Sequence, residues 1–490
     1  MSPEEKIFDV AVIGYGPTGA TLANLLAVPG HSVLIIERET EIYNLPRAVH
    51  FDDETMRVFQ TTGIAGELSK LVHINPGMKF QDKDGNELLD WPRDKNITAH
   101  GWNASYRLHQ PDLEKLLREK LSHKANVYEA LNCQVESIKE DAGHAVIHCN
   151  NNTFKARYVI GCDGANSLVR KTIGDDMIDF GFRQRWLVVD VILNKPRPDL
   201  GDHSIQFCDT RRPMTYCRSP GLRRRWEITI LENESDAEIS AEKKVWEFLQ
   251  RWITPQDATL ERSAVYTFHS AVARQWHRGR LLIAGDAAHL TPPFMGQGMC
   301  TGIRDAANLA WKLTEVLQHP QNHPLLASYQ AERSSHAQAY IETAIQLGGL
   351  INSMDRERAL QMAHDQSSGK ATIKSIQPKA GLSPCLHSIS DQPEHAAGLP
   401  FPQVMLKSGT VRFDELVGYR HALVTRHKLK KTVADKFVPL SAEEHPSLAG
   451  ELDQLNAEAV WVRPDRYIAA LANSPDELFK LIPDTVNLLQ

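Results

Sequence analysis

The sequence predicts an α/β fold in which a parallel-sheet domain is interleaved with a β-rich domain and followed by a small C-terminal α/β domain. Three observations support this prediction: a strand–glycine turn–helix unit near the N-terminus, an alternating β-rich stretch in the middle, and separate strand and helix patterns at the end. With 490 residues, the chain has room for two or three domains.

The N-terminal unit is Rossmann-like. An apolar run over 8–13, rich in β-branched residues, predicts a buried strand, and it leads directly into Gly14-Tyr15-Gly16-Pro17-Thr18-Gly19 and a helix. In this arrangement the first glycine allows a tight turn, the second lets a pyrophosphate approach the backbone, and the third lets the helix pack on the strand. N–H groups at the helix N-terminus then bind the phosphate.

A second apolar strand over 32–36 ends at Glu37, which is followed by Arg38. An acid about 20 residues after the glycines accepts hydrogen bonds from an adenosine ribose. Glycines alone can mark an ordinary turn. Strand, turn, helix, strand and acid in this order predict a dinucleotide-binding domain.

Two polar residues beyond this unit are candidate cofactor ligands. Pro46 breaks regular structure, so Arg47 is predicted on a loop that opens a helix including 55–60. Arg47 can be a surface charge or a cation that bridges the cofactor's phosphates and its reactive end, and the sequence leaves both open. Gln110 precedes a helix beginning near Pro111, where its amide can bind a ligand or satisfy the backbone.

Two later apolar strands end in an acid beside a glycine, at Asp163 and at Asp286. Ligands of open α/β sheets bind at the carboxyl ends of the strands, so both acids are candidate cofactor ligands. The second strand is followed by Pro293 and by Gly296-Gln297-Gly298-Met299. The next helix is predicted from about 301 to 317, and its N-terminus can hold a partial negative charge.

The stretch from 186 to about 268 alternates in hydrophobicity and predicts a mostly antiparallel sheet where a substrate could bind. Within it, the strand 214–218 places Met214, Tyr216 and Arg218 on one face. This face combines apolar surface, a hydroxyl and a cation, which suits a phenol with an acidic or carbonyl group. The alternative is that Met214 and Tyr216 belong to the core and that Arg218 is solvated.

Composition narrows the class of protein. The formal net charge is −6 with acids and bases mixed, which argues against a general affinity for nucleic acid. Seven cysteines without Cys-x-x-Cys spacing predict reduced thiols in a cytoplasmic protein and neither a disulfide framework nor a zinc site. No signal-length or membrane-length apolar run is apparent, so no membrane partner is expected.

Several motifs resemble those of the single-component (class A) FAD-dependent aromatic hydroxylases. Besides the glycine turn with Glu37-Arg38, they are Pro46-Arg47-Ala48, Gln110-Pro111, Cys162-Asp163-Gly164-Ala165-x-Ser167-x-Val169-Arg170, Gly285-Asp286-Ala287-Ala288-His289 and Pro293-x-x-Gly296-Gln297-Gly298. The stretch from Gly296 to Ala306 is most similar to the 3-(3-hydroxyphenyl)propionate hydroxylase branch. The resemblance covers about 7–345 and, more weakly, a C-terminal thioredoxin-like domain ending near 462–467.

The resemblance implies a Rossmann-like FAD-binding domain interleaved with a substrate domain, and FAD and NAD(P)H as cofactors. It associates Asp286 with the ribityl chain, Gly298 and Met299 with the flavin pyrimidine, Asp163 with both cofactors, and Arg47 with FAD phosphates and mobility. The full set of expected FAD ligands is Gly14, Gly16, Pro17, Thr18, Gly19, Glu37, Arg38, Arg47, Gln110, Asp163, Asp286, Gly296, Gln297, Gly298 and Met299.

The implied domain boundaries follow these motifs. The predicted segments are 1–73, 105–180 and 270–365 for the FAD-binding domain, 74–104 and 181–269 for the substrate-binding sheet, 366–400 for a linker and 401–490 for the C-terminal domain. The C-terminal domain has no Cys-x-x-Cys, so thioredoxin-type redox chemistry is excluded there. Its expected role is packing or association, and a homodimer is one possibility.

The implied reaction hydroxylates a small phenolic substrate with O2 and NAD(P)H through a C4a-hydroperoxyflavin. The expected catalytic residues are Pro293 at the flavin edge, Tyr216 on the sheet and His50 as a proton acceptor from the flavin side. His50 can instead be a structural hydrogen bonder. The alternatives are a related FAD-dependent reductase or halogenase, or a non-catalytic FAD-binding protein. Trp226 is not followed by the Trp-x-Trp-x-Ile-Pro pattern expected of a halogenase.

Overall fold

The computed structural model describes residues 6–150, 152–174, 176–209, 211–353, 381–382, 396–429, 433 and 435–482. The predicted linker 366–400 lies almost entirely outside the described residues. The part of the predicted FAD-binding segment 270–365 beyond 353 lies outside them as well.

The strands and helices are numbered in chain order. The strands are β1 Ile7–Ile13, β2 Val33–Ile36, β3 His50–Asp52, β4 His73–Ile74, β5 Gly77–Gln81, β6 Glu87–Pro92, β7 Ser105–Arg107, β8 Val127–Ala130, β9 Val135–Glu140, β10 Ala145–Cys149, β11 Asn152–Gly161, β12 Met177–Leu193, β13 Ser204–Phe207, β14 Met214–Arg218, β15 Arg223–Thr229, β16 Ala258–Ala273, β17 His277–Arg278, β18 Leu281–Ile283, β19 His289–Leu290, β20 Met405–Leu406, β21 Val411–Arg412, β22 His421–Thr425, β23 Phe437–Ser441, β24 Ala459–Val462 and β25 Ile468–Ala472. The α-helices are α1 Pro17–Ala27, α2 Asp53–Thr62, α3 Ala65–Leu71, α4 Gln110–Ser122, α5 Leu168–Ile173, α6 Asp236–Ile239, α7 Glu242–Leu249, α8 Gly298–Gln318, α9 Ala327–Ser353, α10 Phe413–Val417, α11 Ser447–Gln454 and α12 Pro475–Leu481.

The first sheet has the strand order β17-β18-β11-β1-β2-β8, with β9 and β10 attached through β11. Neighbours from β18 to β8 run parallel. Strands of a parallel sheet are covered on both faces and read as continuous apolar runs, as β2 does with four buried residues in succession. Helices α1, α4 and α8 pack together beside this sheet, so the predicted Rossmann-like unit is confirmed.

The second sheet has the order β19-β16-β12-β15-β14-β13-β5-β6. It contains the long antiparallel strands β12 and β16 and, at its far edge, the hairpin β5–β6 with its turn at 82–86. One face of this sheet packs on α7 in a core that contains Val189, Tyr216, Trp226 and Val245. Its other face carries Arg225 and Arg262, which donate hydrogen bonds to the Pro46 carbonyl oxygen.

Two smaller sheets complete the fold. Strands β3, β7 and β4 form a three-stranded sheet in this order, and it pairs His50 with Arg107. The C-terminal region contains a four-stranded sheet in the order β23-β22-β24-β25. The thioredoxin-like assignment of this region and the domain boundaries stay predictions.

Candidate active site

The glycine turn after β1 is held closely against β11. Gly14 has φ +100°, and a Cβ on it would lie 2.3 Å from the carbonyl oxygen of Cys162. A Cβ on Gly19 would lie 2.1 Å from the Gly14 oxygen. Gly16, in contrast, faces open space, with no atom within 4 Å of a built Cβ. The turn is therefore closely packed at Gly14 and Gly19. It is open at Gly16, where a pyrophosphate can approach the start of α1.

Glu37 holds the same turn from the end of β2. Its Oε2 accepts a hydrogen bond from the Tyr15 backbone N–H at 2.7 Å, and its Oε1 accepts one from Glu39 at 3.1 Å. The carboxylate is half-buried, so it also remains available to a ribose. Arg38 points to solvent and pairs with Glu39 at 3.2 Å, and its role toward a cofactor stays a prediction.

The Arg47 loop is fixed through its backbone. Gln110 Oε1 accepts hydrogen bonds from the N–H groups of Arg47, at 3.1 Å, and Ala48, at 2.7 Å. Two buried arginines of the second sheet, Arg225 and Arg262, donate to the carbonyl oxygen of Pro46. The Arg47 side chain itself is exposed, with its guanidinium 5.3 Å from the Tyr43 ring centroid. The loop is thus anchored while its cation can turn toward phosphates.

The two strand-end acids differ in what they do. Asp163 Oδ2 accepts hydrogen bonds from the N–H groups of Leu168, at 2.7 Å, and Val169, at 3.2 Å, so it caps α5, while its Oδ1 has no partner among the described atoms. Asp286 is solvent-accessible, yet burial still raises the pKa of its carboxyl. Asp286 therefore lies in a recess at the end of its strand, and its contact with a cofactor stays a prediction.

The N-terminus of α8 lies beside the glycine turn. A Cβ on Gly302 would lie 2.4 Å from Thr18 Oγ1, so α8 and α1 pack closely at this point. Gly296 adopts φ +64° and Gln297 precedes the first residue of the helix, which begins at Gly298, three residues before the sequence-based expectation. The N–H groups of Gly298 and Met299 lie in the first turn of the helix, where they have no acceptor within the helix, and their contact with a flavin stays a prediction.

These features fit FAD. Open space at Gly16 accommodates a pyrophosphate, the Asp286 recess accommodates a hydroxylated chain, and the α8 N-terminus favours the negative charge of a reduced isoalloxazine ring. Within the chain the structure describes, no cluster of His, Cys, Asp and Glu is arranged to hold a metal ion.

A cavity lies between the second sheet, the three-stranded sheet and the loop 293–296. Its empty space, the open mouth included, amounts to about 690 Å³. Its apolar lining includes Val49, Met78, Trp91, Trp186, Pro293, Phe294 and Met295, and its polar lining includes His50, Asn75, Arg93, Arg107, Gln206, Thr215, Cys217 and Glu227. Pro293 and His50 therefore line the same cavity, and their catalytic roles stay predictions.

A polar row crosses three neighbouring strands at the floor of the cavity. Gln206 pairs with Thr215, and Thr215 pairs with Glu227. The Thr215 hydroxyl donates to Gln206 Oε1 at 2.7 Å. Glu227 Oε1 lies 3.7 Å from Arg225 Nη1, and the Glu227 side chain is 15% exposed. Glu227 is thus a cavity carboxylate whose ion pair with Arg225 is long, because Arg225 pairs more closely with Asp190, at 2.7 Å.

The predicted strand 214–218 is confirmed, but the predicted substrate-facing side of it is wrong. Thr215 and Cys217 line the cavity. Tyr216 packs on Trp226 in the core below the sheet, Met214 packs beside it, and Arg218 pairs with Asp202 at 3.3 Å. The register shows why: Tyr216 lies opposite Trp226, and Thr215 opposite Glu227, so the polar residues share the cavity face.

His50 lies where the cavity meets the loop 293–296. Its Nε2 is 2.7 Å from Ser105 Oγ, and its Nδ1 is 3.4 Å from the Gly296 carbonyl oxygen. Burial, reinforced by the positive charges of Arg107 and Arg93, lowers the pKa of His50 to about 3. The imidazole therefore stays neutral at physiological pH and is a weak base, which favours the structural alternative over the predicted proton acceptor.

Arg107 and Arg93 make the cavity electropositive. Arg107 is 5% exposed, donates to Ser204 Oγ through Nη2, and has no partner for its Nε. Arg93 lies with its guanidinium 4.0 Å from the Trp91 ring centroid. Burial lowers the pKa of Arg107 and brings that of Arg93 to about 10, so both remain charged. Neither forms an ion pair with any carboxylate that the structure describes.

Sequence reasoning did not identify Arg107, Arg93, Gln206, Thr215 or Glu227. The available signal was the alternation of polar and apolar residues within β13, β14 and β15. That signal becomes informative only once the cross-strand register is known, because the register decides which polar residues share a face. For Arg107 and Arg93, no local pattern separates them from surface arginines.

Comparison with known proteins identifies the class. A family model described as an FAD binding domain matches residues 8–344. The chain is 40% identical over 420 residues to the probable NADH-specific resorcinol 4-hydroxylase of Rhodococcus jostii (strain RHA1), covering 84% of this chain and 78% of that protein. It is 30% identical over 517 residues to the 3-(3-hydroxy-phenyl)propionate/3-hydroxycinnamic acid hydroxylase of Mycolicibacterium gilvum (strain PYR-GCK), covering 95% and 89%.

The fold agrees with solved structures of flavin enzymes. The flavin-dependent monooxygenase PieE in complex with FAD and substrate superposes with a TM-score of 0.82 at 19% identity, covering 98% of this chain and 99% of that one. The chain belongs to the FAD-binding family, and it is an FAD-dependent aromatic monooxygenase. No helix in the described part of the chain is long and apolar enough to cross a membrane.

Proposed function

We propose that this enzyme hydroxylates a single-ring phenol, bound as its phenolate in the cavity beside Pro293, with NADH as the reductant. The observation that carries this proposal is the buried Arg107 guanidinium, which faces the cavity without an ion-pair partner in the described chain. A buried cation without a direct ion pair is costly, and an anionic oxygen of the substrate supplies the missing direct partner.

Apolar residues of the cavity bind the aromatic ring, and its charged residues take part in proton transfer. Trp186, Phe294 and Met295 supply apolar surface for an aromatic ring, and Pro293 borders the flavin side. The Glu227 carboxylate accepts the proton of the phenol O–H, and the electron pair stays on the oxygen, where Arg107 stabilises it. FAD, when bound, supplies the activation of dioxygen. The ionised ring is the electron-rich form that an electrophilic oxygen attacks.

The choice of NADH rests on a relative that is named as NADH-specific. The reductase, halogenase and non-catalytic alternatives are not favoured, since the named relatives above are hydroxylases. The homodimer and the roles of Arg47 and Asp163 toward the nicotinamide remain predictions.

A comparison of a phenol with its methyl ether tests the proposed ionised oxygen. Both ligands present the same ring, but the ether cannot lose a proton. We expect the phenol to perturb the bound flavin spectrum with an affinity at least about tenfold higher, a difference of about 1.4 kcal/mol. Equal affinities would contradict recognition of the phenolate.

Glu227→Gln is expected to lower kcat/KM about 100-fold, because it removes the proton acceptor. Burial raises the pKa of Glu227, and the ionised form is the active one. In the native enzyme, kcat/KM should therefore fall as the pH drops through this raised pKa. The variant should lack this acidic limb in its pH–rate profile.

Glu261→Gln is the matched control, because Glu261 lies on β16 and pairs with Arg223 at 3.7 Å, away from the cavity residues. Its pH profile should equal that of the native enzyme. An unchanged acidic limb in Glu227→Gln would show that another group accepts the proton.

A further inference from the structure

The C-terminal region reaches the loop beside the flavin through a series of buried polar contacts. The Tyr467 hydroxyl lies 2.5 Å from Glu54 Oε1, and Glu54 Oε2 accepts a hydrogen bond from Arg304 Nε at 2.5 Å. Arg304 Nη1 donates to Gln297 Oε1 at 3.1 Å. Gln297 directly precedes Gly298, the first residue of α8, so the series ends at the N-terminus of this helix.

Arg304 is the centre of this series. Its Nη2 also donates to Asp52 Oδ2 at 2.5 Å, and Asp52 caps α2 by accepting from the Thr55 N–H at 3.0 Å. Arg304, Asp52 and Glu54 are all buried. Burial alone would raise the pKa of Glu54, but Arg304, His100 and the hydrogen bond from Tyr467 together outweigh it and the pKa is lowered, so the carboxylate stays ionised. Burial raises the pKa of Tyr467 well above its ordinary value, so its hydroxyl keeps the proton that it donates.

The neighbouring residues of the C-terminal segment hold α8 further along its length. Asp465 Oδ2 accepts hydrogen bonds from Trp311 Nε1 and Asn308 Nδ2, both at 3.1 Å. Arg463 pairs with Glu332 of α9 at 2.8 Å. These contacts secure the body of the helix, whereas the Tyr467 series extends to the loop before its first turn.

We propose that Tyr467 is a positioning residue of the monooxygenase: through Glu54 and Arg304 it fixes Gln297 and the loop 293–298 against the flavin. The proposal rests on the proposed function only in that this loop borders the flavin and the substrate. It gives the C-terminal domain a role in the reaction without any redox group of its own. Without the hydroxyl, Glu54 loses a buried donor and is free to draw Arg304 away from Gln297.

Tyr467→Phe removes only the hydroxyl, and Tyr419→Phe is its matched control. Tyr419 belongs to the same C-terminal region, and its hydroxyl donates to the Ala307 carbonyl of α8 at 3.0 Å, outside the charged series. Hydrogen exchange of peptides spanning 293–300 is measured in the full-length protein, with and without FAD. We expect exchange about tenfold faster in Tyr467→Phe and unchanged in Tyr419→Phe.

The holoenzymes are then compared for hydrogen peroxide formed per NADH consumed. Tyr467→Phe is expected to release about threefold more peroxide per NADH than the native enzyme. Its melting temperature should equal that of Tyr419→Phe, so that a general loss of stability does not explain the difference. Glu54→Gln, which keeps the side-chain shape but loses the charge, should show the same two changes. Equal exchange at 293–300 in both tyrosine variants would overturn the proposal. A native enzyme that hydroxylates no phenol would instead refute the proposed function, and the exchange comparison would still decide the role of Tyr467.

Discussion

Gly16→Ala is expected to weaken FAD binding at least about 100-fold while leaving the apoprotein as stable as the native chain, a loss of about 2.7 kcal/mol in binding free energy. Gly16 has φ −73° and ψ −174°, a conformation open to any residue. A Cβ there meets no protein atom within 4 Å, so it clashes only with the pyrophosphate. Quenching of FAD fluorescence on titration and thermal unfolding of the apoprotein measure the two quantities.

Gly19→Ala is the informative comparison. Its Cβ would lie 2.1 Å from the Gly14 carbonyl oxygen, so this variant should lose apoprotein stability as well as FAD. If Gly16→Ala retained native FAD affinity, the pyrophosphate could not lie at this turn.

Arg107→Met is expected to reduce kcat/KM for the phenol by about 100-fold, or about 2.7 kcal/mol, because it removes the cation that stabilises the phenolate. Methionine keeps much of the side-chain length and suits a buried site. The expected loss exceeds that of a surface ion pair because the guanidinium is buried beside the cavity. Steady-state kinetics at saturating NADH, with FAD content checked by absorbance, measure the effect.

Arg218→Met serves as the control for Arg107→Met. Arg218 has the same chemistry but lies on the opposite face of β14, where it pairs with Asp202 at 3.3 Å. It should retain native kcat/KM. The opposite outcome, with Arg218→Met impaired and Arg107→Met unaffected, would contradict this assignment. It would support the sequence-based prediction that the face of β14 with Met214, Tyr216 and Arg218 contacts the substrate.

The sequence was sufficient for the parts of the fold that are encoded locally. The glycine turn, the acid at Glu37 and the strand-end acid at Asp286 are each set by neighbours in the chain, and they mark the nucleotide-binding unit without knowledge of distant contacts. The strand 214–218 is likewise local, since turn signals bound it on both sides.

What could not be predicted depends on contacts between distant segments. Period two divides β14 into two faces but does not say which face meets the cavity, and that choice depends on its pairing with Glu227 on β15. Arg107 becomes a site residue only because β7 carries it beside His50. The contact between Tyr467 and Glu54 joins residues 413 positions apart, which no local pattern indicates.

The most direct measurement is the mass of the product formed from a phenol in the presence of NADH and isotopically labelled dioxygen. The enzyme reconstituted with FAD should consume NADH only when both the phenol and dioxygen are present, and the product should gain one labelled oxygen atom on the ring. NADH consumption that yields hydrogen peroxide and an unchanged phenol, across resorcinol and other single-ring phenols, would contradict the assignment of a phenol hydroxylase.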